Sequence, residues 1–241
     1  MRSISDILTG FTDKTLLPSE GSSGVQILSG GMDSVTLLHF LVKHRKCEMT
    51  ALSFDYGQKH KKELECARKN CEELGVEHHV IELPFVTALW KSALLSGGSA
   101  IPEGHYEAEN MKQTVVPNRN MIMSAIAVGF GQSHGLQFLS LGVHAGDHAI
   151  YPDCRAEFID AFRKTVELSD WHPFTVFAPF QRMTKVEILE IGLQLSPPVN
   201  YANTWTCYKG EAKPCGKCGA CQERLEAFAA LNVEDPCHDQ S

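Results

Sequence analysis

The chain has 241 residues, 43% of them hydrophobic and 21% charged. That is the make-up of an ordinary enzyme domain with room for a full core and one small appendage. Lys and Arg total 22 against 29 Asp and Glu, a formal net charge of −7, which excludes wrapping a nucleic-acid backbone by bulk positive charge.

In chain order, residues 1–24 read as an N-terminal extension. Ile4, Ile7, Leu8 and Phe11 have helical spacing, but Pro18, Gly21, Ser22, Ser23 and Gly24 then read as a linker. The extension is expected to be a weakly ordered arm that docks on the body. The run VQILS at 25–29 predicts a buried strand, and the apolar positions up to Leu41 and Val42 predict a helix ending near His44. A strand follows over 48–55, then a helix over 59–74 capped by Gly75, then a strand over 77–83. Residues 84–118 lack a steady period and predict a long loop or lid. Beyond it the pattern predicts a helix (120–134), a strand (137–142), a helix (154–169), a strand (174–178) and a helix (184–195). Strands alternating with helices imply an α/β fold, a doubly wound parallel five-stranded sheet, whose ligands bind beyond the carboxyl ends of the strands. The expected organisation is an α/β body over 25–200 and a small metal-binding segment over 201–241.

No apolar run approaches a membrane span, and residues 1–10 lack the apolar centre of a secretory signal. A cytoplasmic chain is therefore expected, with no membrane and no directly bound nucleic acid. Nine cysteines, an odd number, argue against a disulfide framework. Cys207, Cys215, Cys218 and Cys221 lie close together, and four thiolates can close a tetrahedron around zinc. An iron–sulfur cluster is the main rival, but the ferredoxin spacing puts its fourth Cys downstream before a Pro, whereas here it lies upstream. Redox-active thiols are a lesser alternative.

Ser29-Gly30-Gly31-Met32-Asp33-Ser34 joins the first strand to the first helix. Two glycines let the backbone approach an anion, and the free amides and dipole of the helix start favour negative charge. The segment is neither a Walker A loop nor a dinucleotide fingerprint. It resembles the SGGxDS signature of the PP-loop ATP pyrophosphatases, which hold the pyrophosphate of ATP and transfer AMP to a substrate oxygen. The nucleotide is then expected on Leu28, Ser29, Gly30, Gly31, Met32, Asp33, Ser34 and Phe54.

Further segments narrow the resemblance. FDYGQKH at 54–60, VPNRN at 116–120, YPDCRAEF at 151–158, and TCYKG before CGKCGACQER together resemble the 7-cyano-7-deazaguanine synthases, over about residues 25–228. The chain departs from that pattern in its extension and in Asn118, where Gly is expected. The resemblance implies ATP-dependent carbon–nitrogen ligation. The reactants would be 7-carboxy-7-deazaguanine and ammonia, with one structural zinc per chain, Mg²⁺ with the ATP, and a tendency to form homodimers. Lys185, at a helix start after the fifth strand, is the expected cation for the phosphates, and Asp33 and Asp147 join it as catalytic candidates. Asp55, Tyr56, Gln58, Arg119, Asn120, His144, Asp153 and Arg155 are the expected substrate contacts. His148 completes the HAGDH loop, and Cys154 is expected to be a packed thiol, since no matched base accompanies it. Three rival readings are a relative that joins the activated deazaguanine to a protein or other amine, with residues 1–24 as docking arm, a transfer-RNA-modifying enzyme, and a non-catalytic nucleotide-binding scaffold.

Overall fold

The computed structural model describes residues 2–11, 17–104 and 108–238. Helix α1 (Ile4–Phe11) precedes strand β1 (Ser23–Ile27), helix α2 (Met32–His39) and strand β2 (Glu48–Asp55). Helix α3 (Lys62–Leu74), strand β3 (Glu77–Glu82), the short helix α4 (Phe85–Leu89) and helix α5 (Arg119–Ser133) follow. Strand β4 (Phe138–Ser140), helix α6 (Ala156–Glu167), strand β5 (Thr175–Phe177), helix α7 (Lys185–Gln194) and helix α8 (Gly219–Ala230) complete the order. The strands form one parallel sheet in the order β3-β2-β1-β4-β5.

Alternation along the strands sends side chains to two cores. Val25, Leu52 and Leu139 pack with α5 and α6 on one face, whereas Ala51 and Phe138 pack with α2 and α7 on the other. The central strand leaves one polar side chain between them. Gln26 is fully buried and its amide nitrogen donates to the Ser34 carbonyl at 2.7 Å, pinning the first turn of α2 to the sheet.

Several expectations shift. The first strand begins at Ser23, because Ser23 and Gly24 already pair with Glu48 and Met49, so the linker is shorter than predicted. Its part at 12–16 lies outside the described residues. The arm is more ordered than expected. It folds as α1, buries Ile7 against α7, and Arg2 reaches Glu187 and Glu190 at 3.3 and 3.0 Å. Gly75 takes a left-handed φ of 65° and ends α3, which starts at Lys62 rather than 59. The stretch 84–118 is not a free lid: it holds α4 and a 3₁₀ turn at Glu109–Thr114, and Leu94, Leu95 and Met111 are buried in the sheet core. Its apolar residues follow no single period because they come from short turns packed on the body. The helix predicted over 154–169 spans Ala156–Glu167, its first residues forming a 3₁₀ turn at Pro152–Cys154. Helix α8 had no counterpart in the prediction.

Candidate active site

The carboxyl ends of the strands open into one cavity between the body and the segment before α8. Its floor is the turn after β1. Gly30 has φ 87°, and a Cβ there would lie 1.9 Å from the carbonyl oxygen of Glu63, so this turn and α3 can approach only through glycine. Gly31 caps α2 with no side-chain bond, which leaves the helix start available to an anion. Ser29 Oγ accepts from the Gly31 amide at 3.2 Å and lies 3.0 Å from Ser34 Oγ. Leu28 and Phe54 line the cavity. Met32 does not: its side chain is buried in the core, so only its main chain can face a ligand. Trp205 donates its amide to the Gly30 carbonyl at 3.0 Å and ties the C-terminal segment to the turn.

Above this floor stands an ionic cluster. Lys185 is the first residue of α7, whose start is fixed by a capping box between Thr184 and Glu187. Its Nζ lies 2.8 Å from Glu223 Oε2 and 3.2 Å from Asp33 Oδ2. Burial disfavours the ammonium, but Asp33 first and then Glu223 outweigh it and hold Lys185 above the ordinary lysine range. His144 accepts from the Gly146 amide on Nδ1 at 3.0 Å, so the proton of a neutral ring sits on Nε2. That Nε2 lies 3.7 Å from Asp33 Oδ2 and 3.6 Å from Asp147 Oδ1. Asp147 in turn accepts from the His144 amide at 3.2 Å. Asp33, His144, Asp147 and Lys185, which come from three separate strand ends, thus meet in one place. Glu223 joins them from α8, a residue the motif reading did not single out.

The opposite wall is aromatic and cationic. Arg119 opens α5 and donates to the Tyr56 hydroxyl at 3.2 Å, its guanidinium 5.8 Å from the Tyr56 ring and 5.9 Å from the Tyr151 ring. Among the described residues no carboxylate reaches Arg119 at ion-pair distance. Burial pushes the Tyr56 hydroxyl up to about 12, so it faces the cavity as a neutral donor. The Tyr151 hydroxyl is 2.8 Å from Thr114 Oγ1 and 3.3 Å from the Tyr208 hydroxyl, which joins the 84–118 stretch, the loop after β4 and the C-terminal segment. His60 and Glu63, paired at 3.0 Å, also line this wall.

Asp55, Gln58, Asp153 and Arg155 stand back from the cavity. Asp55 pairs with Lys61 and accepts from the Gly57 amide, and Gln58 is buried and bonded to Tyr56, Phe54 and Glu63, so both shape the turn that presents Tyr56. Asp153 accepts from the Asn120 amide at 3.1 Å and so caps α5, which orients Arg119. Asn120 lines the cavity and donates to Cys154 Sγ at 3.1 Å. Burial raises the Cys154 thiol well above its usual range, as a packed rather than a nucleophilic cysteine requires. Arg155 is exposed and donates to the His148 carbonyl at 2.9 Å.

Beside the cavity lie the four cysteines. The sulfurs of Cys207, Cys215, Cys218 and Cys221 all fall within 4.8 Å of one another. Gly216, at φ 67°, makes the turn between the second and third, and Cys218 caps α8. Four sulfurs about 2.3 Å from a single ion would be roughly 3.8 Å apart, and Cys215 and Cys221 are at 4.0 Å. The amides of Lys217 and Cys218 point at Cys215 Sγ at 3.4 and 3.3 Å. Close contact among the thiols pushes Cys218 below its ordinary range and Cys221 above it, so the four share few protons between them. The spacing of the four sulfurs suits the donor set to holding a metal ion.

Comparison with known proteins agrees with this arrangement. The profile of the queuosine biosynthesis protein QueC family matches residues 23–232. A 7-cyano-7-deazaguanine synthase of Hahella chejuensis is 49% identical over 225 residues, covering 93% of this chain and 95% of that protein. One from Caldicellulosiruptor saccharolyticus is 50% identical over 212 residues, covering 88% and 93%. Among solved structures, the U34-tRNA thiolase NcsA from Methanococcus maripaludis with its [4Fe-4S] cluster superimposes with a TM-score of 0.51 at 16% identity, covering 79% of this chain and 62% of that one. That likeness speaks to the fold alone.

Proposed function

The chain belongs to the queuosine biosynthesis protein QueC family, and from this premise we propose that it is an ATP-dependent carbon–nitrogen ligase that makes 7-cyano-7-deazaguanine from 7-carboxy-7-deazaguanine and ammonia. The observation that carries the reading is the meeting, in one cavity, of a helix start with no side-chain cap, a buried lysine and an arginine that no carboxylate pairs with among the described residues.

A carboxylate cannot expel oxide, so its oxygen must first become a leaving group. The carboxylate oxygen attacks the α-phosphorus of ATP, and pyrophosphate departs. The amides at the start of α2 and the Lys185 ammonium face the charge that grows on that pyrophosphate. Asp33, Asp147 and Glu223 outnumber Lys185, so the cluster carries surplus negative charge and suits a triphosphate that arrives with Mg²⁺. Arg119 offers a fork that stays charged to the acid, and Tyr56 and Tyr151 offer faces to its ring. Ammonia then displaces AMP and loses a proton, leaving an amide. The amide oxygen is activated by a second ATP and leaves as AMP, and loss of the remaining N–H proton completes the nitrile.

The metal on Cys207, Cys215, Cys218 and Cys221 is read as zinc. With four protein ligands it keeps no open position for substrate, so what it supplies is structure. It would hold residues 201–241 against the body formed by 25–200. Incubation with 7-carboxy-7-deazaguanine, ammonia and Mg·ATP, followed by mass spectrometry, tests the reading. Nitrile, AMP and pyrophosphate are expected. Consumption of ATP without nitrile or amide would overturn it.

A further inference from the structure

The ionic cluster has a member whose place depends on the C-terminal segment. Helix α8 is capped by Cys218, carries Cys221 in its first turn, and brings Glu223 against Lys185, which lines the cavity. The carboxylate is received in a prepared gap. A Cβ on Gly146 would lie 2.3 Å from Glu223 Oε1 and 2.8 Å from His144 Cε1, so the 3₁₀ turn at Ala145–Ala149 leaves space for both side chains by having none of its own there. The other oxygen, Oε2, is 2.8 Å from Lys185 Nζ, closer than Asp33 at 3.2 Å.

Resting on the ligase reading above, we propose that Glu223 is a positioning residue: it fixes the Lys185 ammonium for pyrophosphate departure, and through it the metal-organised helix reaches the reacting phosphates. A flexible lysine stem loses rotamer freedom when it is held, and two carboxylates on either side of Nζ hold it in advance. Glu223 is itself an anion beside an anionic ligand, so it does not aid ground-state binding of the triphosphate. Its contribution falls on the chemical step, which separates it from a residue that merely supports the fold.

The test compares Glu223→Ala, Glu223→Gln and Gly146→Ala with the unmodified protein. Gly146→Ala keeps the carboxylate in the chain but crowds both it and the His144 ring, so it is read only beside Glu223→Ala. Metal content, thermal midpoint, calorimetric binding of Mg·α,β-methylene-ATP without acid, and kcat and KM for ATP are measured. For Glu223→Ala and Gly146→Ala the proposal expects kcat about tenfold lower, with nucleotide affinity equal or tighter and metal content unchanged. Glu223→Gln, which keeps an oxygen beside Lys185 without the charge, should recover part of the rate. An unchanged kcat in Glu223→Ala overturns the proposal, as does a loss of metal that accounts for the lost rate, or a weakened nucleotide affinity. Should the unmodified protein bind nucleotide but make no nitrile, the ligase reading fails. Pyrophosphate release with other acids then still reads out the Glu223 effect, and its absence with every acid sinks both.

Discussion

At the scale of single residues, the cavity holds two cations in different surroundings, and the proposed reaction divides its work between them. Lys185 lies with Asp33 at the glycine turn, whereas Arg119 stands near Tyr56 and Tyr151 on the far wall. Replacing each should therefore damage different constants. Lys185→Ala removes charge stabilisation on the leaving pyrophosphate and is expected to lower kcat by about 10²- to 10³-fold. A fall of less than threefold in steady-state kinetics would contradict the role. Arg119→Ala is expected to raise KM for the acid by about tenfold or more and to leave KM for ATP nearly unchanged. Equal effects on both substrates would place Arg119 on the nucleotide instead. The residues proposed for these roles stand at strand ends and in motifs, where sequence reasoning looks for them. Glu223 was out of reach because it comes from a helix after the cysteines and meets Lys185 only once α8 is packed beside α7. Met32 shows the opposite limit: its neighbours in the glycine turn face the cavity, but its own side chain turns inward.

Elements supply the fixed points from which those side chains reach. Helix α2 carries the phosphate turn and also the fully buried His39, whose Nε2 lies 2.8 Å from Asn70 Oδ1 on α3. Burial lowers the His39 pKa below its ordinary 6.5, with Lys43 adding to the effect and the Asn70 bond and Glu73 opposing it. A depressed histidine means that the unfolded chain takes up the proton first. His39 therefore costs no stability above about pH 6.5 and costs progressively more as the pH falls below it. Denaturant unfolding of His39→Gln between pH 5 and 7 should accordingly depend less on pH than that of the unmodified protein. An equal or steeper dependence would contradict the assignment. Helix α8 is tied to the cysteines in a different way, since its cap and its first turn both belong to the cluster suited to a metal. Metal analysis should find one ion per chain, and its removal by a chelator should lower the thermal midpoint and loosen the segment around α8. Retention of the full midpoint after complete metal loss would show that the cluster is not structural. The helices up to α7 that follow or precede the strands, and the five strands, were legible from their patterns and from Gly75, whereas α8 and the 84–118 stretch were not. The stretch's buried Leu94, Leu95 and Met111 sit in short turns, where no repeating spacing marks the inward face.

Over the whole molecule, the parallel sheet converts a linear order of motifs into one cavity. The segments after β1, β2, β4 and β5 all emerge on the same side, so residues as distant as Asp33 and Lys185 lie within an ion-pair distance. The extension adds α1 to the outer face of α7, the helix that begins with Lys185, and so braces the cavity from behind. A parallel five-stranded sheet and the common cavity mouth followed from alternating elements and the rule for parallel sheets, whereas the order of the strands did not. The tertiary closure by Trp205, Tyr208 and α8 did not, because contacts across distant segments leave no periodic trace in either partner. The central claim is that a carboxylate oxygen is passed to the α-phosphorus of ATP at the turn after β1. The direct measurement is a turnover with 7-carboxy-7-deazaguanine labelled with ¹⁸O in its carboxylate, in the presence of ammonia and Mg·ATP, with mass analysis of the nucleotide and phosphate products. AMP carrying one carboxylate-derived ¹⁸O, with unlabelled pyrophosphate, is predicted. Unlabelled AMP, or label found in inorganic phosphate, would contradict it.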